Sequence, residues 1–257
     1  MRTTIVNTEP RMLFLAALAG MPERGPAVPA IMLVEGKSGS GKTTALASAV
    51  VASKAIFVRA EAMGSAASLL DDLCWELGIE APYRNSAKYK AIVEKLKSKP
   101  RPLFVDEVDY LLKDPRQLEM LRDIHDACGI PVVLVGMEGI NRKLLRFPQF
   151  TRRISHRLHF GPVSIEDAEL LAAELCEVEI EPALLARMHK EAEGNIGLMV
   201  VAMSRFEKHA KGYGLAKMTL EKWGPQSMFL SNGKLRNGID ERKHHGRAID
   251  TGKAVNQ

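Results

Sequence analysis

Residues 30–43 read AIMLVEGKSGSGKT, and this stretch decides the fold. Its apolar first half is typical of a buried strand. The residues from Gly36 to Thr43 match the phosphate-loop pattern GxxxxGK[ST] at every defined position. Glycines let backbone N–H groups turn inward around phosphate oxygens, and the start of the next helix adds partial positive charge. The sequence therefore predicts a strand, a phosphate-binding loop and a helix in succession.

The same pattern assigns roles to individual side chains. Lys42 is expected to reach the β- and γ-phosphates and to take part in catalysis, and Thr43 is expected to bind Mg²⁺. ATP and Mg²⁺ are the predicted ligands, and ATP is favoured over GTP because the chain contains no NKxD-type guanine-reading motif. The predicted nucleotide-binding residues are Gly36, Lys37, Ser38, Gly39, Ser40, Gly41, Lys42, Thr43 and Thr44.

A second apolar run, LFVDE from Leu103 to Glu107, ends in two acids. If this run is a strand adjacent to the first, Asp106 lies near the Mg²⁺ beyond Thr43. Glu107 is then placed to orient and deprotonate an attacking water. Acids are also favoured at helix N-termini, so a capping role is the alternative. The pair favours an ATPase over a small-molecule kinase, which needs no such catalytic acid.

Short apolar runs alternate with helical patterns from Ala30 to about Phe160. Such runs, separated by helices, indicate a parallel sheet that is covered on both faces. After Gly161 the pattern is helical only. We therefore predict an α/β fold with a phosphate-loop parallel sheet flanked by helices and a small C-terminal helical lid. The predicted parts are an ATPase core with a short N-terminal helix (1–162), the lid (163–223) and a basic, flexible tail (224–257).

The composition is that of a soluble globular protein, with 46% hydrophobic and 26% charged residues. The apolar run MLFLAALAG (Met12–Gly20) is too short to span a bilayer, and its spacing favours a buried helix over a signal peptide. Three widely separated cysteines, Cys74, Cys128 and Cys176, favour a reducing compartment. We expect a protein of the bacterial or host cytoplasm without a membrane partner.

A basic stretch, FPQFTRRISHRLHF (Phe147–Phe160), follows the fourth predicted strand. Residues 141–157 contain six Lys or Arg and no Asp or Glu, so the sequence offers Arg152 and Arg153 no nearby acid. Phosphoryl transfer develops negative charge that an arginine from another subunit can neutralise. We predict this catalytic role for Arg153, with Arg152 as second choice, in a ring or helical homo-oligomer. Solvent-exposed charge and contacts to DNA phosphates are the alternatives.

Basic residues between the second and third predicted strands are candidates for contact with double-stranded DNA, interrupted only by Glu94. Lysines on an exposed amphipathic helix are the alternative explanation. Binding through phosphates would weaken steeply with salt. The candidates are Arg84, Lys88, Lys90, Lys95, Lys97, Lys99 and Arg101, and a second basic group in the tail comprises Arg242, Lys243, His244 and His245.

Taken in order, the phosphate loop, LFVDEVD, IPVVLVGMEGI, FTRRI, FGPVS and EGNIGLMV resemble the motifs of AAA+ ATPases. Over roughly residues 5–220 the arrangement is most similar to regulators of DNA transposition, namely the B protein of Mu-like phages and related transposon ATPases. That resemblance implies an ATPase that assembles with ATP on duplex DNA, marks target sites and recruits a transposase. A helicase loader or replication-initiation ATPase, and a signalling or defence ATPase that does not bind DNA, are the alternatives.

The chain departs from the family pattern in three places. About 30 residues precede the first strand, where the B protein of Mu carries an additional DNA-binding domain. The polar sensor at the end of the fourth strand falls near Met137, whose thioether is a weak acceptor. The arginine expected in GNIGLMV is replaced by Leu198. We predict slow ATP hydrolysis that depends on assembly. The last two departures imply the slow rate, which suits a switch better than a motor but also fits a nucleotide-binding protein that barely hydrolyses.

Overall fold

The computed structural model describes residues 1–21 and 28–229. Helices and strands alternate up to residue 160, and helices then predominate. The strands of the first part are β1 (Ile31–Gly36), β2 (Ile56–Arg59), β3 (Leu103–Asp106), β4 (Val132–Met137) and β5 (Ile154–Phe160). Its helices are α1 (Glu9–Ala19), α2 (Lys42–Ser53), α3 (Ala66–Glu76), α4 (Asn85–Ser98), α5 (Pro115–Cys128), α6 (Ile140–Leu144) and α7 (Pro148–Thr151), with a 3₁₀ helix at Val108–Lys113. The second part contains α8 (Ile165–Leu175), β6 (Glu179–Ile180), α9 (Pro182–Glu191), α10 (Ile196–Gly212), β7 (Lys217–Met218) and α11 (Leu220–Trp223).

The strands of the first part form one parallel sheet in the order β2-β3-β4-β1-β5. This confirms the predicted α/β class, with a parallel sheet flanked by helices. One detail of the prediction is wrong, because β4 lies between β1 and β3, which are therefore not adjacent. All five strands run in the same direction, so the loops that leave their carboxyl ends open on one edge of the sheet. The phosphate loop, Asp106 at the end of β3 and Glu107 directly after it all lie on that edge.

Both faces of the sheet are buried, and the apolar runs explain why. In β1, Ile31 and Leu33 join the core formed with α3, α4 and α5, whereas Met32 and Val34 join the core formed with α1 and α2. Successive side chains of a strand point to opposite faces, so a continuous apolar run supplies both layers. The sheet is thereby fixed between two helical layers, and its carboxyl edge is a rigid base for the loops.

Helix α1, predicted from MLFLAALAG, is buried on one side only. Phe14 is buried and meets Phe160 of β5 edge to face, whereas Met12 and Leu13 are 52% and 55% exposed. The chain before α1 crosses to the helical part, where the Arg2 backbone N–H donates to the Leu175 carbonyl oxygen (2.8 Å). The N-terminal segment thus connects the sheet to the helices that follow it.

Helices α8, α9 and α10 enclose a core of their own. Phe206 of α10 is fully buried and packs edge to face on Trp223, with 4.7 Å between the ring centroids. The packed chain continues past α11, because Met228 is also fully buried and its carbonyl oxygen accepts a hydrogen bond from Arg205 (2.6 Å). Residues 224–229 therefore pack on the helices, although the sequence predicts a flexible tail from residue 224.

Residues 230–257, which include most of the predicted tail and the basic group Arg242, Lys243, His244 and His245, lie outside the described residues. Within the two described ranges, no helix combines the length and apolar character needed to cross a membrane. Cys74, Cys128 and Cys176 are all free thiols.

Candidate functional site

The loop between β1 and α2 has little room for side chains. A Cβ on Gly36 would lie 2.5 Å from the carbonyl oxygen of Phe160, and Gly41 has a φ of 90°, which residues other than glycine rarely adopt. The loop residues from 38 to 44 line a cavity of about 710 Å³, whereas Gly36 ends β1 and Lys37 is exposed outside this cavity. Small-molecule sites commonly have volumes of roughly 300–1,000 Å³. The glycine spacing therefore follows from the close approach of the loop to its neighbours.

Lys42, the first residue of α2, turns its ammonium group back over the loop. Nζ donates to the carbonyl oxygens of Gly36 (2.7 Å) and Lys37 (2.8 Å). Burial lowers the pKa of Lys42, and the negative charge of nearby acids, Asp106 foremost, opposes this effect. A partly desolvated ammonium interacts more strongly with an anion than one in bulk water, because the effective dielectric constant is lower. Lys42 is thus held where a phosphate oxygen can replace the loop carbonyls as its acceptor.

Two oxygen groups that suit Mg²⁺ face each other at this cavity. Thr43 Oγ1, in the first turn of α2, donates to Asp106 Oδ2 at the end of β3 (3.4 Å), and Asp106 is buried. A hydroxyl, a carboxylate and phosphate oxygens are ligands that Mg²⁺ accepts together with water. No cluster of three or more His, Cys, Asp or Glu in residues 1–21 and 28–229 is placed to hold a metal ion. The pair therefore fits a magnesium ion that takes its other ligands from a phosphate substrate and from water.

Glu107 stands in an unusual backbone conformation immediately after β3. Its φ of 56° lies in the left-handed region, which is uncommon for a residue other than glycine and is concentrated at functional sites. The Glu107 N–H donates to Asp106 Oδ1 (2.9 Å). Glu107 precedes the 3₁₀ helix, but its side chain makes no capping hydrogen bond there, so the capping alternative does not explain it. The exposed side chain of Glu107 lines the cavity instead.

Arg59 is a site residue that the sequence does not predict. It ends β2 and pairs in register with Asp106 on the neighbouring strand. Its guanidinium nitrogens lie 3.7 Å from Asp106 Oδ2 and 3.9 Å from Glu107 Oε1. The Arg59 side chain is 53% exposed, and pairs of this kind contribute only about 0–1 kcal/mol. A cation next to both acids is a consequence of strand order, which the sequence alone does not give.

The end of β4 presents an apolar side chain to the cavity. Met137 lines it, and the backbone N–H of Met137 donates to Asp109 Oδ2 (2.6 Å). The other carboxylate oxygen of Asp109 accepts a hydrogen bond from Lys143 Nζ of α6 (3.0 Å). Both Asp109 and Lys143 line the cavity, and the sequence predictions include neither. Asp109 could have been predicted, since it follows Asp106 by only three residues, whereas no sequence pattern points to Lys143.

The second part of the chain closes the cavity with the start of α10. The Gly197 N–H donates to the carbonyl oxygen of Gly39 in the phosphate loop (2.8 Å), and Asn195 Nδ2 donates to the carbonyl oxygen of Ser38 (2.8 Å). A Cβ on Gly197 would lie 3.1 Å from Gly39 Cα, so this approach favours glycine. Gly197 lines the cavity, whereas Leu198 is exposed outside it. Gly197 rather than Leu198 therefore faces the cavity, which differs from the expectation for Leu198.

Comparison with known proteins agrees with this geometry. Residues 28–144 match the family model described as an AAA domain. The chain aligns with the crystal structure of Cdc6p from Pyrobaculum aerophilum over 84% of its length, with a TM-score of 0.61 and 17% identity. The chain has an AAA+ fold.

The AAA+ fold is shared with the Orc1 protein of Aeropyrum pernix, whose structure was solved in complex with DNA. That alignment covers 86% of this chain, with a TM-score of 0.59 and 18% identity. The chain spans 66% of the Pyrobaculum chain and 64% of the Aeropyrum chain. A Staphylococcus aureus protein described as a potential ATP-binding protein is 37% identical over 65 residues, which are 25% of this chain and 23% of that protein. At these identities the two solved structures show the fold alone.

A smaller cavity of about 210 Å³ adjoins the phosphate loop in the AAA+ structure. Ile5 and Val6 of the N-terminal segment, Phe160 of β5, Leu171 of α8 and Ile196 of α10 contribute to its mainly apolar lining. Residues 40, 41 and 44 of the phosphate loop line both cavities. Five segments that are distant in sequence meet here, so no local pattern predicts this cavity.

Arg152 and Arg153 lie at the sheet edge opposite to the phosphate loop. Strand β5 pairs in parallel with β1, so that its end faces Gly36 and its start faces the start of β1. A strand of this length spans roughly 20 Å, and Arg153 therefore does not reach the cavity of its own AAA+ core. The Arg153 Nε and Nη2 atoms each lie 2.9 Å from a carboxylate oxygen of Asp126 in α5, whereas Arg152 is exposed. The acid that the local sequence lacks is thus supplied by the fold.

Most of the proposed DNA contacts are exposed on or beside α4, namely Arg84, Lys90, Lys95, Lys97 and Lys99. Lys88 is an exception, because it is buried and its Nζ lies 2.5 Å from Asp71 of α3. Its charge is neutralised within the chain, which corrects its assignment as a DNA contact. Arg101 donates to the carbonyl oxygens of Lys54 (2.7 Å) and Ala55 (3.2 Å), so two of its five N–H donors already have partners within the chain.

Proposed function

We propose that this chain binds ATP with Mg²⁺ and hydrolyses it to ADP and phosphate. The observation that carries the proposal is that Lys42, Thr43, Asp106 and Glu107 line one cavity of about 710 Å³. A phosphate-binding ammonium, two metal ligands and a carboxylate base are the groups that phosphoryl transfer to water uses. The similarity of a segment of the chain to a potential ATP-binding protein supports the same conclusion.

In the proposed reaction, phosphate oxygens replace the loop carbonyls as acceptors for Lys42, and backbone N–H groups of the loop bind the phosphates. Thr43 and Asp106 would hold Mg²⁺, which would neutralise part of the phosphate charge. Glu107 accepts a proton from the water whose oxygen bonds to the γ-phosphorus, while the bond from that phosphorus to the bridging oxygen of ADP breaks. Arg59 lies beside both acids and holds their side chains in the absence of nucleotide.

We infer that the nucleobase enters the smaller cavity. That cavity adjoins the phosphate loop and is mainly apolar, as suits one flat face of a purine. The N-terminal segment and α10 both contribute to it, and α10 also contacts the phosphate loop. A bound nucleotide would therefore contact both parts of the chain at once, which makes the second part a lid over the nucleotide.

We propose that the ATPase acts on duplex DNA as an assembly of several copies. The similarity to Cdc6p and to an Orc1 protein solved in complex with DNA favours a helicase-loader or replication-initiation type. Regulation of transposition, with a transposase as partner, is the second candidate, and it rests on the sequence motifs alone. The exposed basic residues of α4 supply candidate phosphate contacts for either type.

DNA binding predicts a specific salt dependence. Replacing Lys90, Lys95 and Lys97 together with alanine should weaken duplex binding. It should also make the slope of log K against log salt concentration shallower by about 0.9 for each phosphate contact that is lost. The matched control replaces the exposed residues Lys190, Lys208 and Lys222, which lie on the helical part. Fluorescence anisotropy at several salt concentrations measures the duplex affinity and its salt dependence for each variant. Equal losses in the two triple variants would show that general charge, not α4, binds DNA.

Electron microscopy with duplex DNA and a non-hydrolysable ATP analogue separates the two candidates. Discrete complexes would support the loader type, and continuous filaments would support transposition regulation. If no DNA-bound assembly forms at low salt, both candidates lose their main support.

Arg153 tests whether the assembly completes the active site. We propose that in the assembled state Arg153 leaves Asp126 and contacts the nucleotide of a neighbouring copy, since exchanging an exposed ion pair costs only about 0–1 kcal/mol. Arg153→Ala should then reduce turnover by on the order of 10³-fold while the monomer keeps its ATP affinity. Arg152→Ala is the matched control and should change turnover little.

Mixing the Arg153→Ala and Lys42→Ala chains makes this test specific for action between copies. Each variant is inactive alone, but a mixed assembly contains sites with an intact Lys42 and an arginine from the other chain. Phosphate release should therefore recover in part. No recovery, together with normal assembly, would contradict the role of Arg153 across subunits.

A further inference from the structure

The larger cavity contains a second lysine that the proposed mechanism does not use. Among its described lining residues, Lys42 and Lys143 are the cations, and Asp106, Glu107 and Asp109 are the acids. Lys42 comes from the phosphate loop side, whereas Lys143 comes from α6, which follows β4. The two ammonium groups therefore belong to different walls of one cavity. A triphosphate bound in it would have a second cation available beyond the one that the motif provides.

The backbone that carries Lys143 is fixed, although its side chain is not buried. Glu35 of β1 accepts hydrogen bonds from the backbone N–H groups of Gly139 (3.1 Å) and Asn141 (3.2 Å), which hold the start of α6. The Lys143 side chain is 53% exposed, and its Nζ lies 3.0 Å from Asp109 Oδ1. The Asp109 side chain is only 18% exposed and also accepts a hydrogen bond from the Met137 N–H, but the ammonium group of Lys143 stays in contact with water and can exchange this carboxylate for another anion. The backbone of Lys143 is thus fixed, whereas its ammonium group is half exposed to solvent.

The positions that would otherwise supply a polar contact to the terminal phosphate lack one. Met137 at the end of β4 presents a thioether, which is only a weak acceptor. Gly197 at the start of α10 has no side chain, and a Cβ there would lie 3.1 Å from Gly39 Cα. Arg153 lies at the opposite sheet edge. Among the described residues that line the cavity, Lys143 is therefore the one cation besides Lys42.

We propose that Lys143 binds the terminal phosphate of the nucleoside triphosphate and gives the site its preference for ATP over ADP. This inference rests on the proposed function. Without a γ-phosphate, Lys143 pairs with Asp109, as in the structure. With a γ-phosphate, the ammonium group exchanges the carboxylate for phosphate oxygens, which carry more charge. The chain continues from Lys143 through the end of α6 and through α7 to Arg153. A short segment therefore connects the proposed phosphate contact with the residue at the proposed subunit contact.

The test compares affinities for Mg·ADP and for a Mg-bound non-hydrolysable ATP analogue by isothermal titration calorimetry. Lys143→Ala should weaken analogue binding roughly 10-fold or more, as expected for the loss of a hydrogen bond to a charged group, and should leave ADP binding nearly unchanged. Lys143→Arg should restore most of the preference. Arg142→Ala, on the same helix but outside the cavity, is the matched control and should alter neither affinity.

Asp109→Asn supplies an independent variant, because it weakens the competing partner of Lys143. Analogue affinity relative to ADP should stay equal to that of the wild-type chain or rise. Retained ADP binding in each variant shows that the fold is intact. If Lys143→Ala weakens both nucleotides equally, or neither, the inference is wrong while the proposed function stands. If the wild-type chain binds neither nucleotide, the proposed function fails, and the role of Lys143 fails with it.

Discussion

Glu107→Gln should abolish most ATP hydrolysis while nucleotide binding persists. Removal of a general base typically slows a reaction by about 10²–10⁴-fold, and glutamine keeps the size of the side chain but accepts no proton. The Glu107 side chain lines the cavity and caps no helix, and its ion pair with Arg59 is exposed and weak. Single-turnover phosphate release and calorimetric ATP binding measure the two quantities separately.

Glu61→Gln is the matched control, since Glu61 is an exposed acid that does not line the cavity. It should hydrolyse ATP at the wild-type rate. The Glu107→Gln chain should also accumulate in its ATP-bound, assembled state, which size-exclusion chromatography with ATP would reveal. Wild-type hydrolysis by Glu107→Gln would show that another group, or water alone, accepts the proton.

Lys42→Ala should cause a comparable loss by a different route. Removing one preorganised donor to a transferring group costs on the order of 10²–10³-fold in rate. Lys42 also contributes to binding, because its partly desolvated ammonium lies over the phosphate loop, bonded to the Gly36 and Lys37 carbonyl oxygens. We therefore expect both ATP affinity and turnover to fall, in contrast to Glu107→Gln.

The matched control for this variant is Lys190→Ala, an exposed lysine of α9. Calorimetry with the ATP analogue and phosphate release should be unchanged in that control. If Lys42→Ala binds and hydrolyses ATP as the wild-type chain does, the phosphate loop is not the nucleotide site.

The parts of this site that the sequence predicts are those encoded in continuous segments. The phosphate loop is one run of eight residues, and its glycines are required by contacts such as that of Gly36 with Phe160. LFVDE places two acids at the end of a buried strand for the same local reason. Uniformly apolar strands separated by helices likewise predict a parallel sheet, since both of its faces must be covered.

The parts that the sequence does not predict depend on which segments become neighbours. Strand order places β4 between β1 and β3 and brings Arg59 beside Asp106. Lys88 pairs with Asp71 of α3, and Arg153 pairs with Asp126 of α5. Neither acid is close in sequence, so neither pair can be predicted from the local pattern. Long-range pairing of this kind leaves no periodic signal, so the sequence does not reveal these contacts.

In the helical part, the sequence predicts the position of the motif, but the residue that faces the cavity is Gly197 and not Leu198. The stretch GNIGLMV does start the helix that contacts the phosphate loop. Leu198 nevertheless points away from the cavity, and Gly197 faces it. A helix turns 100° per residue, so a shift of one position changes which side chain meets the nucleotide. Gly197, like Leu198, supplies no polar side chain to the nucleotide, and in our proposal Lys143 supplies the positive charge instead.

We propose that the chain hydrolyses ATP in the cavity formed by the phosphate loop, Asp106 and Glu107. The most direct test is phosphate release by the wild-type chain at saturating ATP, measured with Mg²⁺, with the ion chelated, and over a range of protein concentrations with duplex DNA. We predict Mg²⁺-dependent release that increases per chain as the protein assembles and that Glu107→Gln abolishes. Release no greater than that of Lys42→Ala at every protein concentration would contradict the claim.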